Sequence, residues 1–155
     1  MKALFDQVSL KASKMVTNAY STSFSLGIRM LNESVREPVY AIYGFVRFAD
    51  EIVDSFEGYD KAPLLADFRK QTDEAIAQRI SLNPILNSFQ HAVNHYNIDQ
   101  WLIDAFFDSM EMDLGEQTYD QATFEKYILG SAQVVGLMCL RVFCNGSNAQ
   151  YDSLK

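Results

Sequence analysis

Apolar residues in this chain recur three and four positions apart and nowhere alternate over the length of a strand, so the pattern predicts helices throughout. Residues 3–19 carry Ala3, Leu4, Val8, Met15 and Val16 at helical spacing, and Leu26 to Leu31 predict a short helix. A long helix comes next, opening between Ser34 and Pro38 and ending near Phe56. Ser34-Val35-Arg36-Glu37 has the capping-box form, Pro38 fits only near a helix start, and Glu57-Gly58-Tyr59-Asp60 breaks the pattern. Residues 62–79 predict an amphipathic helix with Leu64, Leu65, Phe68 and Ile76 inward. Further helices are expected over 84–96, over 99–114 with Asn97 as cap, and over 121–143, opened by Thr118-Tyr119-Asp120-Gln121. After Asn145-Gly146, Ser147-Asn148-Ala149-Gln150 is one more capping box with only five residues behind it. The expected fold is all-α, six or seven helices in one domain over residues 1–155.

The segment from Arg36 to Phe56 departs from an ordinary amphipathic helix. Val39, Tyr40, Ile42, Phe45, Val46, Phe48, Ile52, Val53 and Phe56 make it apolar on nearly every side, which belongs inside a protein. Into that run are set Arg47, Asp50 and Asp54, which with Tyr43 fall within an arc of about 60° at 100° per residue. Two carboxylates about 6 Å apart repel by about 3 kcal/mol at an effective dielectric near 20, and a divalent cation with oxygen preference is the simplest way to offset that. The alternative is a narrow solvated stripe with Arg47 as an ion-pair partner. The aromatic surroundings favour the first reading, because buried acids rarely persist without a partner.

Composition narrows the function classes. Of the 155 residues 48% are apolar and 21% charged, with a formal net charge of −7, which argues against nucleic acid as a partner. An acidic protein that handles phosphates needs cations or a local concentration of arginine. Arg29, Arg36 and Arg47 lie in one short window, with no lysine between Lys14 and Lys61. No run of 18 uncharged apolar residues predicts a membrane span, and MKALFDQVSLK lacks the apolar core of a secretory signal. Cys139 and Cys144 sit poorly for a disulfide on one predicted helix. The expected location is cytoplasmic, with peripheral membrane contact left open.

Other polar groups have two readings each. Ser21, Thr22 and Ser23 beside Arg29 are placed either to cup an anion or to cap a helix. His91 and His95, one turn apart, have zinc spacing but no evident third ligand. Asp104, Asp108 and Glu111 read as a polar stripe opposite Leu102, Phe106 and Met110. Gly130 and Gly136 each cost about 1 kcal/mol against alanine within a helix. Gly136, opposite Tyr127, is expected to permit close helix contact, while Tyr127, Val134 and Met138 share a face within about 40°.

Four stretches in order resemble one family, the squalene/phytoene synthases. They are Ser21-Thr22-Ser23-Phe24; the run from Tyr43 through Arg47 and Asp50 to Asp54; Met110 to Leu114; and Tyr127 to Met138 with Gly136. The resemblance implies the N-terminal portion of an isoprenoid-synthase-type helical bundle that joins two isoprenoid diphosphates head to head through a cyclopropyl intermediate. By that resemblance Asp50 and Asp54 bind Mg2+, or Mn2+ in its place. Arg47, Ser21 and Ser23 contact diphosphate, and Phe24 and Tyr127 border the reacting carbons. The ADEIVD and GSAQVVGLM stretches look most like bacterial phytoene synthases, with geranylgeranyl diphosphate as substrate. Squalene or dehydrosqualene synthase with farnesyl diphosphate is the alternative, and a non-catalytic helical assembly factor is the reading from another class. Arg47, Asp50 and Asp54 together favour the enzyme. The family pattern places a second aspartate-rich motif beyond position 155. These residues are therefore expected to be the front part of a longer protein, inactive alone and prone to self-association.

Overall fold

The structure, a computed structural model, describes residues 1–115 and 120–155. Thr118 and Tyr119, assigned from the sequence to a helix opening, lie outside the described residues. The elements are α1 (Lys2–Tyr20), α2 (Thr22–Arg29), α3 (Glu33–Ser55), α4 (Lys61–Gln78), α5 (Pro84–Tyr96), α6 (Gln100–Asp113), α7 (Gln121–Ile128), α8 (Val134–Phe143) and α9 (Asn148–Leu154). A π-helical turn, Leu129–Gln133, joins α7 to α8 into one rod. No strand occurs among the described residues.

The core forms around α3. Phe45, fully buried, stacks on Phe89 of α5 at 3.8 Å between ring centroids. It also meets Phe68 of α4 at 5.7 Å and Phe106 and Phe107 of α6 at 5.3 and 5.6 Å. Rings in offset-stacked or edge-to-face contact add about 1 kcal/mol per pair beyond the apolar area they bury. One side chain thus ties α3 to three other helices.

Local chemistry sets most helix ends, though not always through the expected residue. Asn83 caps α5, accepting from the Ile85 and Leu86 N–H groups, with Pro84 in the first turn. Ser147 accepts from the Gln150 N–H, so the last capping box does open a helix, and with α9 the described residues form eight helical rods where six or seven are expected. Asn32, and not Ser34, caps α3, which leaves Pro38 inside the helix. Asn97 does not open α6. It ends α5 with φ 57°, in the left-handed region that asparagine tolerates, and Asp99 stands at the start of α6.

In α1 the buried face differs from the one the apolar pattern suggests. Leu4, Val8 and Met15 are exposed, while Ser9, Ser13 and Thr17, one turn apart, are completely buried. Ser9 and Thr17 donate back to the Phe5 and Ser13 carbonyls, so their hydroxyls go inside already satisfied. The Ser13 and Ser88 hydroxyls are 2.6 Å apart, and Ser13 sits against Gly44, where an added Cβ would stand 3.1 Å from the serine oxygen. Small side chains let α1 approach α3 and α5 more closely than leucines would.

The rod from Gln121 to Phe143, 23 residues, is long and apolar enough to cross a membrane by length and composition. Its inner residues are packed against protein: Val134 and Met138 are fully buried, and Arg141, 5% exposed, is buried within a polar anchor. Arg141 donates to both Asp99 oxygens at 3.0 Å and to Asn148 Oδ1 at 2.8 Å, and its guanidinium lies 3.7 Å from the Tyr151 ring centroid. That anchor joins the start of α6, the end of α8 and α9.

Candidate active site

The polar stripe of α3 is built by helix period alone. Tyr43, Arg47, Asp50 and Asp54 succeed one another along one side, bordered by the C-terminal end of α1 and by α2. Tyr43 stacks on Phe24 with centroids 4.5 Å apart. Phe24 is held by the α2 cap, in which the Ser21 hydroxyl accepts from the Phe24 N–H at 3.1 Å. Ser21 is therefore a cap in this structure, and its own O–H is not spent in that bond. Ser23 is exposed at the first turn of α2.

Arg47 is half-buried, with its guanidinium 4.8 Å from the Tyr20 ring centroid and an ion pair to Glu51 one turn along α3. Its Nε is buried without a hydrogen-bond partner among the described residues. Burial works against its charge, but the Glu51 hydrogen bond and the charges of Glu51, Asp50 and Tyr43 outweigh that and hold its pKa above the ordinary value. Arg29 and Arg36 do not join it. Arg36 donates to the Leu31 and Arg29 carbonyls and so ties down the end of α2. Arg29 lines a separate cleft of about 670 Å³ with Lys11, Lys14 and Arg36.

The two aspartates differ in setting. Asp54 is exposed, near the end of α3, and Asp50 is half-buried. Burial pushes the Asp50 carboxyl up to about 6; Arg47 works against this, and the negative charges of Asp54, Asp113 and Glu51 add to it. Asp113 belongs to α6, so a second helix presents an acid toward the α3 stripe. Tyr127 of α7 donates its phenolic proton to Asp113 Oδ2 at 2.9 Å. Tyr127 and Asp113 are thus joined by a hydrogen bond, and the Asp113 charge adds to the negative field at Asp50. Asp113 and Glu51 are the two charged residues to which the motifs assign no role. The signal for Asp113 is its place at the end of the Met110–Leu114 stretch.

The π turn changes how α7 and α8 relate. A π turn takes in one extra residue, which rotates the helix before it by about 100° relative to the helix after it. The face shared by Tyr127, Val134 and Met138 in an unbroken helix is therefore split, with Val134 and Met138 fully buried and Tyr127 half-buried on Asp113. Close helix contact falls at Gly130 and not at Gly136. A Cβ on Gly130 would lie 2.5 Å from the Ala105 carbonyl oxygen, whereas among the described residues nothing stands within 4 Å of a Cβ on Gly136.

The other polar stripe and the histidine pair have structural settings of their own. Arg69 of α4 bridges to Asp104, Asp108 and Glu111, so that stripe is an ion-pair ladder between α4 and α6. His91 and His95 stack nearly parallel, 5.8 Å apart. Among the described residues no three His, Cys, Asp or Glu side chains come together in a way that could hold a metal ion. Asp50 and Asp54 therefore offer a pair of carboxylates on one side of α3. That donor set fits Mg2+, which takes one or two carboxylates and fills its other positions with water and phosphate oxygen.

Comparison with known proteins gives this arrangement its setting. The chain is 32% identical to the presqualene diphosphate synthase of Zymomonas mobilis over 149 residues, 90% of this chain and 48% of that protein. It is 29% identical to the presqualene diphosphate synthase of Rhodopseudomonas palustris, covering 81% of this chain and 45% of that one. With the phytoene synthase of Arthrospira platensis it shares 25% identity over 86% of this chain and 44% of the other. A dehydrosqualene synthase crystallised with a ligand superposes with a TM-score of 0.77 at 20% identity, over 88% of this chain and 48% of that one, which makes the fold an isoprenoid-synthase-type helical bundle. The chain spans about half the length of each of these relatives. A family model, squalene/phytoene synthase, matches residues 17–154, and the chain belongs to that family.

Proposed function

We propose that this chain supplies the N-terminal half of a helical domain that condenses two isoprenyl diphosphates head to head. The single observation that carries the reading is the convergence on one side of α3 of an arginine, two aspartates and a stacked aromatic pair. Asp50 and Asp54 would hold Mg2+, or Mn2+ in its place, and the ion supplies charge neutralisation for a departing diphosphate. Arg47 stabilises the same developing charge as a pre-oriented cation held by Glu51 and Tyr20. Ser21 and Ser23 add hydroxyl donors from the start of α2. Phe24, stacked on Tyr43, and Tyr127 present aromatic faces beside which an allylic cation is favoured and from which water is excluded.

Geranylgeranyl diphosphate giving phytoene is the expectation from motif likeness. Farnesyl diphosphate giving presqualene diphosphate is supported by a separate observation: the presqualene diphosphate synthases are 29–32% identical to this chain and the phytoene synthase 25%. We favour the farnesyl reading for that reason. In this reading the bundle works in the cytoplasm, in peripheral contact with a membrane, because substrate and product both carry long apolar chains.

The test is to incubate the chain alone, and the polypeptide its gene encodes, with Mg2+ and labelled farnesyl or geranylgeranyl diphosphate, followed by organic extraction. The expected result is no condensation product from the 155 residues alone, because one acidic helix clamps at most one diphosphate. In an active polypeptide, Asp50→Asn or Asp54→Asn lowers turnover at least about a hundredfold with helix content unchanged. Near-normal turnover in either variant removes the ligand role.

A further inference from the structure

Tyr127 is held by α6 at both of its ends. Its hydroxyl donates to Asp113 Oδ2 at 2.9 Å, and its main-chain carbonyl accepts from the Ser109 hydroxyl at 3.4 Å. Ser109 and Asp113 are one helical turn apart on α6. One turn further back, Ala105 completes the line, its carbonyl and Ser109 closing around Gly130. A Cβ at Gly130 would stand 1.8 Å from Ser109 Oγ, so the fit leaves no room for any other residue. Ala105, Ser109 and Asp113 thus form a track of small and polar groups along which the end of α7 lies. The π turn begins two residues after Tyr127, where the rod must leave that track to bury Val134 and Met138 elsewhere in the core. The helix that carries the track packs on α3, with Phe106 and Phe107 against Phe45, and the Asp113 charge adds to the negative field at Asp50.

We propose that Asp113 is a positioning residue of the condensation site, holding the Tyr127 hydroxyl beside the acidic stripe of α3, with the Ala105–Ser109–Asp113 track and Gly130 fixing the helix that carries it. The inference rests on the function proposed above and deepens it. A phenol that donates to a carboxylate has its proton directed away from substrate and its ring held in one orientation. The ring face and the oxygen lone pairs are then what the reacting carbons meet. Without the carboxylate the ring rotates about its side-chain bonds, and the orientation advantage is lost.

Two measurements decide it. In the first, the chain is labelled with tyrosine carrying 13C at Cζ, and the Tyr127 signal is assigned by its loss in Tyr127→Phe. Asp113→Asn is expected to move that signal and Asp113→Glu to restore it in part, with the other tyrosine signals and the helical circular dichroism unchanged. A Tyr127 signal that stays in place in Asp113→Asn overturns the proposal. If Asp113→Asn does not fold, Asp113→Ala carries the comparison, and an unmoved signal there overturns it equally. In the second, the polypeptide active in condensation is assayed. Asp113→Asn is expected to lower kcat about tenfold with KM within twofold, and the double variant with Tyr127→Phe to be no slower than the slower single one. Losses that multiply overturn the coupling. A fall in Mn2+ affinity of tenfold or more in Asp113→Asn, absent in Tyr127→Phe, also overturns it, because Asp113 would then be a ligand. Absence of condensation by the unsubstituted protein rejects the proposed function, while the 13C measurement still decides the contact.

Discussion

The helix α3 and the rod formed by α7, the π turn and α8 both carry apolar anchors and a polar group of chemical interest, yet they place them by different means. In α3 the turns are regular, and the side chains that share a direction are those that period 3.6 puts together: Phe45 inward, with Tyr43, Arg47, Asp50 and Asp54 along the polar side. In the second rod the regular period is broken at Leu129–Gln133, and the direction of Tyr127 is set by Ser109 and Asp113 of another helix. An uninterrupted helix transmits orientation along its own backbone, while an interrupted one depends on its neighbours.

The sharpest test of the α3 side is Phe45→Ala. Removing a fully buried ring that meets four others is expected to cost about 4 kcal/mol in urea denaturation, with little collapse of the space left behind. A cost below about 1 kcal/mol would mean that the aromatic cluster is not what joins these helices.

On the other rod, Gly130→Ala is expected to cost about 3 kcal/mol, because the new methyl meets Ser109 Oγ and the Ala105 carbonyl oxygen. The same variant should weaken the Tyr127 contact with α6, visible in tyrosine fluorescence or in the 13C signal. If Gly130→Ala is tolerated with Tyr127 undisturbed, the contrast between the two rods fails.

Asp50 supplies an intermediate effect with a definite sign. Its carboxyl titrates at about 6 in the folded protein against an ordinary 3.8, so between those values the folded chain keeps a proton that the unfolded chain has lost. The stabilising contribution is complete below about pH 4 and is lost as pH rises through about 6, amounting to about 2 kcal/mol. Denaturation in chelator from pH 4 to 8 measures it. Asp50→Asn should flatten that part of the profile and be more stable than the parent at pH 8. A parent profile without this slope would place Asp50 in open water.

The smallest effect is expected at Gly136. With none of the described residues within 4 Å of an added Cβ, Gly136→Ala should stabilise by up to about 1 kcal/mol through helix propensity alone. Destabilisation there would show that this face is closely packed, as the spacing opposite Tyr127 suggests for an unbroken helix.

What the chain determines by itself is whatever local periodicity and capping chemistry decide. Proline and asparagine at the start of α5, the box at Ser147 and the length of α3 are legible because they depend on residues within one or two turns. So is the one-sided placement of Arg47, Asp50 and Asp54, since it comes directly from 3.6 residues per turn. Tertiary structure decides which of two plausible faces is buried, and there local pattern misleads. In α1 the serines and Thr17 go inside, because their hydroxyls bond to their own helix and to Ser88, and because α3 comes too close at Gly44 for larger side chains. The pairing of Tyr127 with Asp113 joins residues on different helices, and so does the approach of Asp113 to Asp50. Gly130 and Gly136 look alike in the sequence, and only the position of α6 makes one indispensable and leaves the other free. Periodicity says where a side chain can point along its own helix; the neighbour it meets is set by how the helices pack.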